Sequence, residues 1–410
     1  MPSVSLSFKV HIPYPLRKMS PGAVYISDYS GRSESCEALN KLATESWLPA
    51  NRLLLALIRK YEGKFRIAFS ISAVTLELLQ EYRPDVVRSF KRLAATGCVE
   101  FFAETSHNTL CWLYSKNEFR QQVEKHHQLI STLFGQEPSV FRNTELIYQN
   151  ELASLIAGLG YKGILCEGQD SILKGRNCND IYASPGNGDF SVLLRNTRLS
   201  NDLAFHFDDP AWNEAPLTAE KFAGWIHGQE NINCINLFLD YSTFGIHKKK
   251  GTGIFAFLEH LPSAILSHHQ WRFVTPSEAV DSFYPKDLYD APEIISWYEK
   301  GMGGFVWEEN AMQHNALRKI YSLEAMVKQN ALPAATECWR RLLSVDHFLH
   351  LRKSNTENGN GEQSPESFTD PEEAFQQYMN IVTDFEIGLI KKGLKDIKAS
   401  CHQPVVNNLY

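Results

Sequence analysis

Short apolar runs alternate with longer amphipathic segments over most of the chain. Val4, Leu6, Phe8 and Val10 occupy every second position, and a two-residue period is typical of a β-strand with one buried face. Comparable apolar runs predict further strands at residues 65–71, 99–103, 139–142, 163–166, 192–195, 235–240 and 271–275.

Between these strands the apolar residues recur with the period of a helix. Helices are predicted at residues 47–60, 118–134, 150–159, 218–227 and 253–266. Strands that alternate with helices favour a parallel sheet, and seven or eight such units over about 280 residues favour a closed β/α barrel. In a barrel of this kind the functional groups gather where the strands end.

The pattern changes after Pro292. Three helices are predicted at residues 307–328, 336–351 and 371–395. We therefore expect a barrel domain at residues 1–290 and a C-terminal helical domain at residues 291–410. Residues 354–370 are poor in apolar side chains and predict a flexible loop within the second domain.

The composition is that of a globular protein without a nucleic-acid surface. Of the 410 residues 43% are hydrophobic, and the net charge is −6, so no broad basic surface faces phosphate backbones. No stretch approaches the ~20 consecutive apolar residues of a membrane span, and no targeting segment begins the chain. We expect a cytoplasmic protein without nucleic-acid or membrane partners. The eight cysteines form no Cys-x-x-Cys pair, which predicts buried free thiols.

Polar side chains stand at or directly after several predicted strands. Glu145 follows the run at residues 139–142, and Asp240 ends the run at residues 235–240. Because a barrel brings its strand ends together, this pair of carboxylates suggests a site that cuts a glycosidic bond. A plainer interpretation is that each caps a helix or pairs with an arginine such as Arg142. The other polar residues at such positions are His11, Ser72, Glu100, Glu104 and Glu167.

Five short motifs follow one another along the chain. They are His11-Ile-Pro-Tyr-Pro15, Gly97-Cys-Val-Glu-Phe-Phe-Ala-Glu-Thr105, Phe141-Arg-Asn-Thr-Glu-Leu-Ile-Tyr148, Asp240-Tyr-Ser-Thr-Phe-Gly245 and Trp307-Glu-Glu-Asn-Ala-Met-Gln313. In this order they resemble the five signature regions of glycoside hydrolase family 57, in its α-amylase branch. The similarity extends through residues 217–222 and 274–280, and so covers nearly the whole chain.

This resemblance implies a distorted (β/α)7 barrel with a C-terminal helical domain. It also implies a glycoside hydrolase that cleaves an α-1,4-linked glucan or maltooligosaccharide with retention of anomeric configuration and needs no cofactor or metal. By motif position, Glu145 matches the nucleophile and Asp240 the general acid/base, while His11 and Glu100 match substrate-binding positions. Trp307 falls in the region that the helical domain contributes to the cleft. Glu104 and His107 are candidates for either the substrate-binding site or its scaffold.

A retaining mechanism explains why two carboxylates are needed. One ionised group attacks the anomeric carbon and one protonated group releases the leaving oxygen, which requires carboxyl groups about 5–5.5 Å apart. A group that stays protonated near neutral pH needs apolar surroundings or a neighbouring negative charge. Leu237, Phe238 and Leu239 precede Asp240, which agrees with the acid role.

Three positions depart from the usual motifs of the amylase branch. Ser242 replaces a glutamate, Asn108 stands where a histidine is frequent, and Ile12 replaces a glutamine. These changes leave open an altered substrate preference, a lower rate, or a protein that binds glucan without cleaving it. Transfer to a second sugar, as in 4-α-glucanotransferases and branching enzymes, uses the same two carboxylates and is a further alternative.

A metal-dependent polysaccharide deacetylase is disfavoured. Such an enzyme on a related barrel needs an Asp/His/His ligand set. The histidine pairs at residues 126–127 and 268–269 lie in helical patterns, without the ligand spacing that this chemistry requires. The oligomeric state is not predicted by the sequence.

Overall fold

The computed structural model describes residues 1–17, 29, 32–297, 299–300, 304–352 and 370–401. The chain forms two compact units. The first consists of Met1–Pro13 and Cys36–Gly303, and the second of Tyr14–Ser35 and Gly304–Tyr410. The segment after the first strand thus belongs to the second unit, which the sequence pattern did not indicate. The loop predicted at residues 354–370 lies outside the described residues, apart from Asp370.

Alternating apolar sequence produces the strands of the first unit. Their bounds are β1 Ser3–Val10, β2 Ile67–Ile71, β3 Val99–Phe101, β4 Val140–Arg142, β5 Gly163–Glu167, β6 Tyr182–Ser184, β7 Asn187–Arg195, β8 Cys234–Asp240, β9 Arg272–Phe273, β10 Asp287–Leu288 and β11 Glu299–Lys300.

Seven of these strands form a closed ring. β1 pairs with β2 and β8, β2 with β3, β4 with β5, β5 with β7, and β7 with β8, all in parallel. A parallel bridge between Ala103 and Phe141 joins β3 to β4. Arg195 and Asn236 form the pairing between β7 and β8 in the described part of the chain, so the ring is irregular at this seam. The distorted (β/α)7 barrel is therefore confirmed.

The run predicted at residues 271–275 is not a member of the ring. Within it, β9 pairs with Ser3 and Val4 at the beginning of β1, and the chain enters a helix at Pro276. Two short strands of the large sheet were not predicted: β6 lies antiparallel to β7, and β10 lies parallel to β6. They contain three and two residues, which is too short to display an alternating pattern.

Helices surround the ring. The five predicted segments each match one of them within two residues at each end, and the other seven helices given below were not predicted. Local capping explains their starts, since Ser115 accepts from the Glu118 amide at 3.2 Å and Thr218 from the Lys221 amide at 3.2 Å. No described helix combines the length and apolar character needed to cross a membrane. The helices are α1 Arg32–Leu42, α2 Leu48–Lys60, α3 Ala73–Tyr82, α4 Pro84–Ala94, α5 Cys111–Tyr114, α6 Lys116–Phe134, α7 Asn150–Gly158, α8 Asp170–Leu173, α9 Thr197–Asn201, α10 Ala219–His227, α11 Ile254–Leu266 and α12 Pro276–Ser282.

The barrel interior is apolar at the beginning of its strands. Ala68, Val140 and Phe238 pack in one buried cluster with Val274 and Ala279, which flank and belong to α12. The amide of Val274 donates to the carbonyl of Val4 at 3.0 Å. α12 and the residues before it therefore pack at the end of the barrel where β1 begins.

The second unit is helical, with the short strand β12 Gly304–Phe305 before its helices. Two predicted helices are each divided. Residues 307–328 correspond to α13 and α14, which Leu323 separates, and residues 336–351 correspond to α15 and α16. Pro333 begins α15, three residues before the predicted start at Thr336. Asn310 and Gln313 form a reciprocal cap, which starts the first helix four residues after Trp307. The helices are α13 Ala311–Ser322, α14 Glu324–Asn330, α15 Pro333–Leu342, α16 Val345–Leu349 and α17 Pro371–Cys401.

Candidate active site

Glu145 lies in a tight turn directly after β4. Its backbone is left-handed, with φ 53° and ψ 28°, and Leu146 follows at φ 50°. Such angles are uncommon for residues other than glycine and persist only where the surroundings impose them. The side chain is 1% exposed. The turn therefore directs a buried carboxylate to the end of the barrel where the strands finish.

A second segment fixes Glu145 in this conformation. Residues 291–297 run antiparallel to residues 145–150, with Tyr148 and Ile295 exchanging two backbone hydrogen bonds of 2.9 Å. The carbonyl of Glu145 accepts from the Ser296 hydroxyl at 2.6 Å. At the end of the segment, the indole Nε1 of Trp297 donates to Glu145 Oε2 at 2.7 Å. One carboxylate oxygen is thus held by a neutral donor.

The other oxygen of Glu145 faces a cation. Lys9 Nζ lies 3.5 Å from Glu145 Oε1, and both side chains are almost fully buried. The same ammonium group lies 5.4 Å from the centroid of the Trp297 ring, within range of a cation–π interaction. Glu145, Lys9 and Trp297 therefore form one contact group on the first unit.

Asp240 ends β8 and is half-buried. Its Oδ1 accepts from the Ser242 amide at 2.7 Å and from the Ser242 hydroxyl at 2.5 Å. Ser242, which replaces the usual glutamate of the motif, is thus a direct partner of Asp240. The loop that carries Ser242 ends at Gly245 with φ +114°, where a Cβ atom would overlap the carbonyl oxygen of Glu45. Glycine is required there for the close approach of the two backbones.

The register of the sheet brings Asp240 and Glu145 to the same face. Lys9 and Asp240 are partners on the parallel strands β1 and β8, so their side chains point to one side of the sheet. The side chain of Lys9 reaches Glu145. Independently, Phe238 precedes Asp240 by two residues and shares its face, and its ring lies 5.9 Å from that of Trp297. Both routes place Asp240 on the side of the sheet that Glu145 faces.

Two further ion pairs lie in the same layer of the barrel. Arg142 pairs with Glu104, and Arg195 lies 3.1 Å from Glu167; all four side chains are at least 95% buried. Buried carboxylates of this kind need a charged or hydrogen-bonding partner to remain in the protein interior. Among the described residues, Glu104, Glu145 and Glu167 each have a cationic neighbour, whereas the hydrogen-bond donors to Asp240 are neutral.

His126 packs beside the ion pair of Arg142 and Glu104. Its Nδ1 accepts from the Glu104 amide at 3.3 Å, and its Nε2 lies 2.8 Å from the carbonyl of Ile71. These contacts require a neutral ring with the proton on Nε2. Burial lowers the pKa of His126, which agrees with the neutral form. Glu104 is therefore placed within the scaffold of the barrel.

The other predicted site residues, His11, His107 and Trp307, have contacts separate from those of Glu145 and Asp240. His11 follows β1, and its Nδ1 lies 2.7 Å from the hydroxyl of Ser72, the residue that caps α3. His107 is fully buried, with Nδ1 2.7 Å from Ser106 Oγ. Trp307 lies in the second unit, where it is fully buried and stacks on Phe305 at 4.8 Å. A tryptophan with 0% exposure offers no free face to a sugar ring, which argues against the predicted stacking role.

Glu100 lies one layer below Lys9 and Asp240 in the sheet, and its side chain contacts α12. It aligns with Ala68 on β2, and through it with Ser7 on β1, two residues before Lys9. Its Oε2 accepts from the amide and hydroxyl of Ser277 at 3.0 and 2.7 Å. Glu100 thus caps the first turn of α12, and this placement argues against the predicted contact with substrate.

The cap that Glu100 forms predicts a pH-dependent stability. Burial raises the pKa of Glu100 above its ordinary value of 4.5, so the folded protein binds a proton that the unfolded chain releases at lower pH. Its contribution to stability is present below that ordinary value and is lost as pH rises through the raised pKa. Glu100→Gln keeps an oxygen for Ser277 without a charge. We expect this variant to melt at a higher temperature than the wild type at neutral pH, and the difference to shrink in acid.

Thermal unfolding followed by circular dichroism at several pH values measures this difference. Glu259→Gln, which changes an exposed glutamate on α11, is the matched control and should show no such trend. A melting difference for Glu100→Gln that stays constant with pH, or has the opposite sign, would contradict the assignment.

Sequence reasoning missed Lys9 and Trp297. Lys9 interrupts an apolar strand, and the pattern treats a lysine at such a position as facing solvent. Trp297 is separated from Glu145 by 152 residues, in a segment without a strand or helix pattern. The one available signal was a lysine within an apolar run, two residues before the candidate site residue His11.

A cavity of about 870 Å³ opens beside this group, after the ends of β5 and β7. Glu167 and Trp297 form part of its wall. No group of histidine, cysteine, aspartate or glutamate side chains suited to hold a metal ion occurs among the residues that the structure describes.

Comparison with known proteins assigns the class. The sequence profile of Glycosyl hydrolase family 57 matches residues 5–292. A protein of Methanocaldococcus jannaschii named "Putative alpha-amylase" is 34% identical over 396 residues, covering 93% of this chain and 84% of that protein. The chain therefore belongs to glycosyl hydrolase family 57, and it is a glycoside hydrolase of the amylase-like kind.

Solved structures of this family share the fold. A branching enzyme from Thermococcus kodakaraensis has a TM-score of 0.66 at 14% identity, over 93% of this chain and 89% of that enzyme. An α-amylase from Thermotoga maritima has a TM-score of 0.63 at 12% identity, over 96% and 93%. A 4-α-glucanotransferase from Thermococcus litoralis has a TM-score of 0.65 at 15% identity, over 85% of this chain and 56% of that enzyme. The chain thus spans little more than half of the last enzyme's length.

Proposed function

We propose that the protein cleaves α-1,4-linked glucan or maltooligosaccharide by a retaining, double-displacement mechanism. The observation that carries this proposal is the contrast between two carboxylates on one face of the barrel. Glu145 has a lysine and an indole N–H as partners, whereas Asp240 has neutral donors. Two carboxylates with different partners on one face of the barrel suit a mechanism in which the two groups take different roles.

Glu145 acts as the nucleophile. Trp297 and Lys9 contact its two oxygens and restrict rotation of the carboxylate, which favours a fixed direction of attack on the anomeric carbon. The bond to the leaving oxygen breaks as the bond to Glu145 forms, and a glycosyl ester results. The left-handed backbone at Glu145 is already present in the folded protein, so no conformational change of this turn is needed when substrate binds.

Asp240 acts as the general acid and then as the general base. Its Oδ1 already accepts two hydrogen bonds from Ser242, so Oδ2 is the oxygen that carries the transferable proton. In the first step this proton passes to the leaving oxygen. In the second step Asp240 takes a proton from water as the water oxygen attacks the ester-linked carbon, and the sugar is released with its original anomeric configuration.

Incubation with maltoheptaose tests the proposal. Products resolved by length and by anomer should be shorter chains with the α configuration, and the number of reducing ends should rise. Chain lengths that redistribute at a nearly constant number of reducing ends would identify transfer to sugar instead of water. Initial β products, or an unchanged substrate, would overturn the proposed mechanism.

A further inference from the structure

Arg195 lies at the end of β7, at the seam where the ring of the barrel is irregular. Side chains supply hydrogen bonds across this seam. Asn236 Nδ2 donates to the carbonyl of Leu194 at 3.1 Å, and Arg195 Nε donates to the carbonyl of Phe238 at 2.8 Å. The guanidinium group of Arg195 therefore joins β7 to β8 at a point two residues before Asp240.

The two terminal nitrogens of Arg195 are also bound. Nη1 donates to Glu167 Oε1 at 3.1 Å, and Nη2 donates to Asn201 Oδ1 at 2.7 Å. Glu167 accepts in addition from the hydroxyl of Thr197. The side chains of Arg195 and Glu167 are each 5% exposed. Because the guanidinium group is planar and rigid, these contacts in three directions fix its plane.

The fixed guanidinium group lies against Trp297. Arg195 Cζ is 5.5 Å from the centroid of the Trp297 ring, within the range of about 6 Å for attraction between a cation and an aromatic face. The N–H of the same indole donates to Glu145 Oε2 at 2.7 Å. A displacement of the ring therefore alters the hydrogen bond that holds the carboxylate of Glu145.

We infer that Arg195 is a positioning residue for the reaction at Glu145. It holds the indole of Trp297, and the indole holds the carboxylate. Lys9 also lies near this ring but contacts Glu145 directly, whereas Arg195 acts through Trp297. The catalytic consequence of this inference rests on the proposed function.

The alternative is that Arg195 only stabilises the fold, as the partner of the buried Glu167. The two roles differ once the hydrogen bond between Trp297 and Glu145 has been removed. If Arg195 acts through Trp297, its replacement then has no further effect on kcat. If the two residues act independently, their effects on kcat multiply.

A double-mutant cycle of Arg195→Lys and Trp297→Phe tests the inference. Lysine keeps a positive charge for Glu167 but lacks the planar fork, and phenylalanine keeps an aromatic ring without the N–H donor. On maltoheptaose we expect kcat to fall about 10-fold in Arg195→Lys and about 10- to 100-fold in Trp297→Phe, as for a misdirected nucleophile. KM should change less than about twofold, because the loss arises in the transition state.

The double variant should match Trp297→Phe within about twofold. Arg272→Lys is the matched control and should keep the wild-type kcat, because Arg272 lies 5.9 Å from the ring of Phe283 on β9, at the beginning of β1. The combined substitution Arg195→Met and Glu167→Met removes both buried charges together and should show the same dependence on Trp297. Wild-type kcat in Arg195→Lys, or losses that multiply in the double variant, would overturn the role of Arg195.

A measurement that needs no turnover separates this inference from the proposed function. With isotope-labelled indole nitrogens, the Nε1–H resonance of Trp297 is identified by its absence in Trp297→Phe. In Arg195→Lys we expect this proton to exchange with solvent about 10-fold faster than in the wild type, and in Arg272→Lys at the wild-type rate. An unchanged exchange rate in Arg195→Lys would overturn the inference even in an active enzyme. An inert wild type in which Arg195→Lys still accelerates exchange would overturn the proposed function and support the contact from Arg195 to Trp297.

Discussion

Replacing Glu145 by glutamine is expected to lower kcat on maltoheptaose by a factor on the order of 10⁴ or more, as for the loss of a nucleophile in other covalent mechanisms. The amide oxygen can still accept from Trp297, so the fold is kept while the attacking charge is lost. Rates are measured by quantifying new reducing ends. Glu151→Gln on the surface of the barrel is the matched control and should retain full activity.

The role of Glu145 is tested further with an external nucleophile. In Glu145→Ala the space beside the anomeric carbon is empty, and azide can attack from that side in place of the carboxylate. With a 4-nitrophenyl α-maltoside, a single displacement should give the β-glycosyl azide. Formation of the α-glycosyl azide, or wild-type turnover by Glu145→Gln, would show that another residue is the nucleophile.

Replacing Asp240 by asparagine is expected to lower kcat on maltoheptaose by about 10²- to 10⁴-fold, which is the usual contribution of a general acid or base. Asparagine still offers an oxygen to the Ser242 amide and hydroxyl, so the loop is maintained. The loss should be smaller on a 4-nitrophenyl substrate in the first step, because 4-nitrophenolate leaves without a proton. A burst of nitrophenolate followed by slow turnover should therefore appear.

Azide distinguishes Asp240 from Glu145 by stereochemistry. In Asp240→Ala the glycosyl ester forms on Glu145 and then lacks a base to activate water. Azide needs no base, so it should restore turnover and give the α-glycosyl azide. Asp189→Asn, which changes an exposed aspartate near the beginning of β7, is the control. A β product, or the same loss on both substrates without a burst, would contradict the acid/base role.

Most of the barrel could be predicted from sequence because its strands are buried and apolar. The register was not predictable, and the pairing of Lys9 with Asp240 shows which face of the sheet Asp240 occupies. The run at residues 271–275 has the composition of a strand, but its partner is the beginning of β1, so it lies outside the ring. Apolar runs indicate burial, while pairing depends on contacts distant in sequence.

The candidate site was predictable in part. Strand ends and motifs indicated Glu145 and Asp240, and the spacing of about 5–5.5 Å expected for their carboxyl groups stays a prediction. Glu100 and Glu104 follow the same sequence logic, yet the first caps α12 and the second pairs with Arg142. Trp297 reaches Glu145 through an antiparallel segment, which no local pattern encodes.

In a mutational screen, a glycine that is required for backbone geometry, such as Gly245, can be mistaken for a catalytic residue. Any side chain at this position would press against the peptide of Glu45 and displace the short loop that ends at Gly245, together with Ser242 and the acid that it contacts. We therefore expect replacement of Gly245 to displace Asp240, the proposed proton donor, although the glycine itself contributes no reacting atom. A position whose replacement abolishes activity should therefore be assigned to catalysis only after its backbone contacts have been considered.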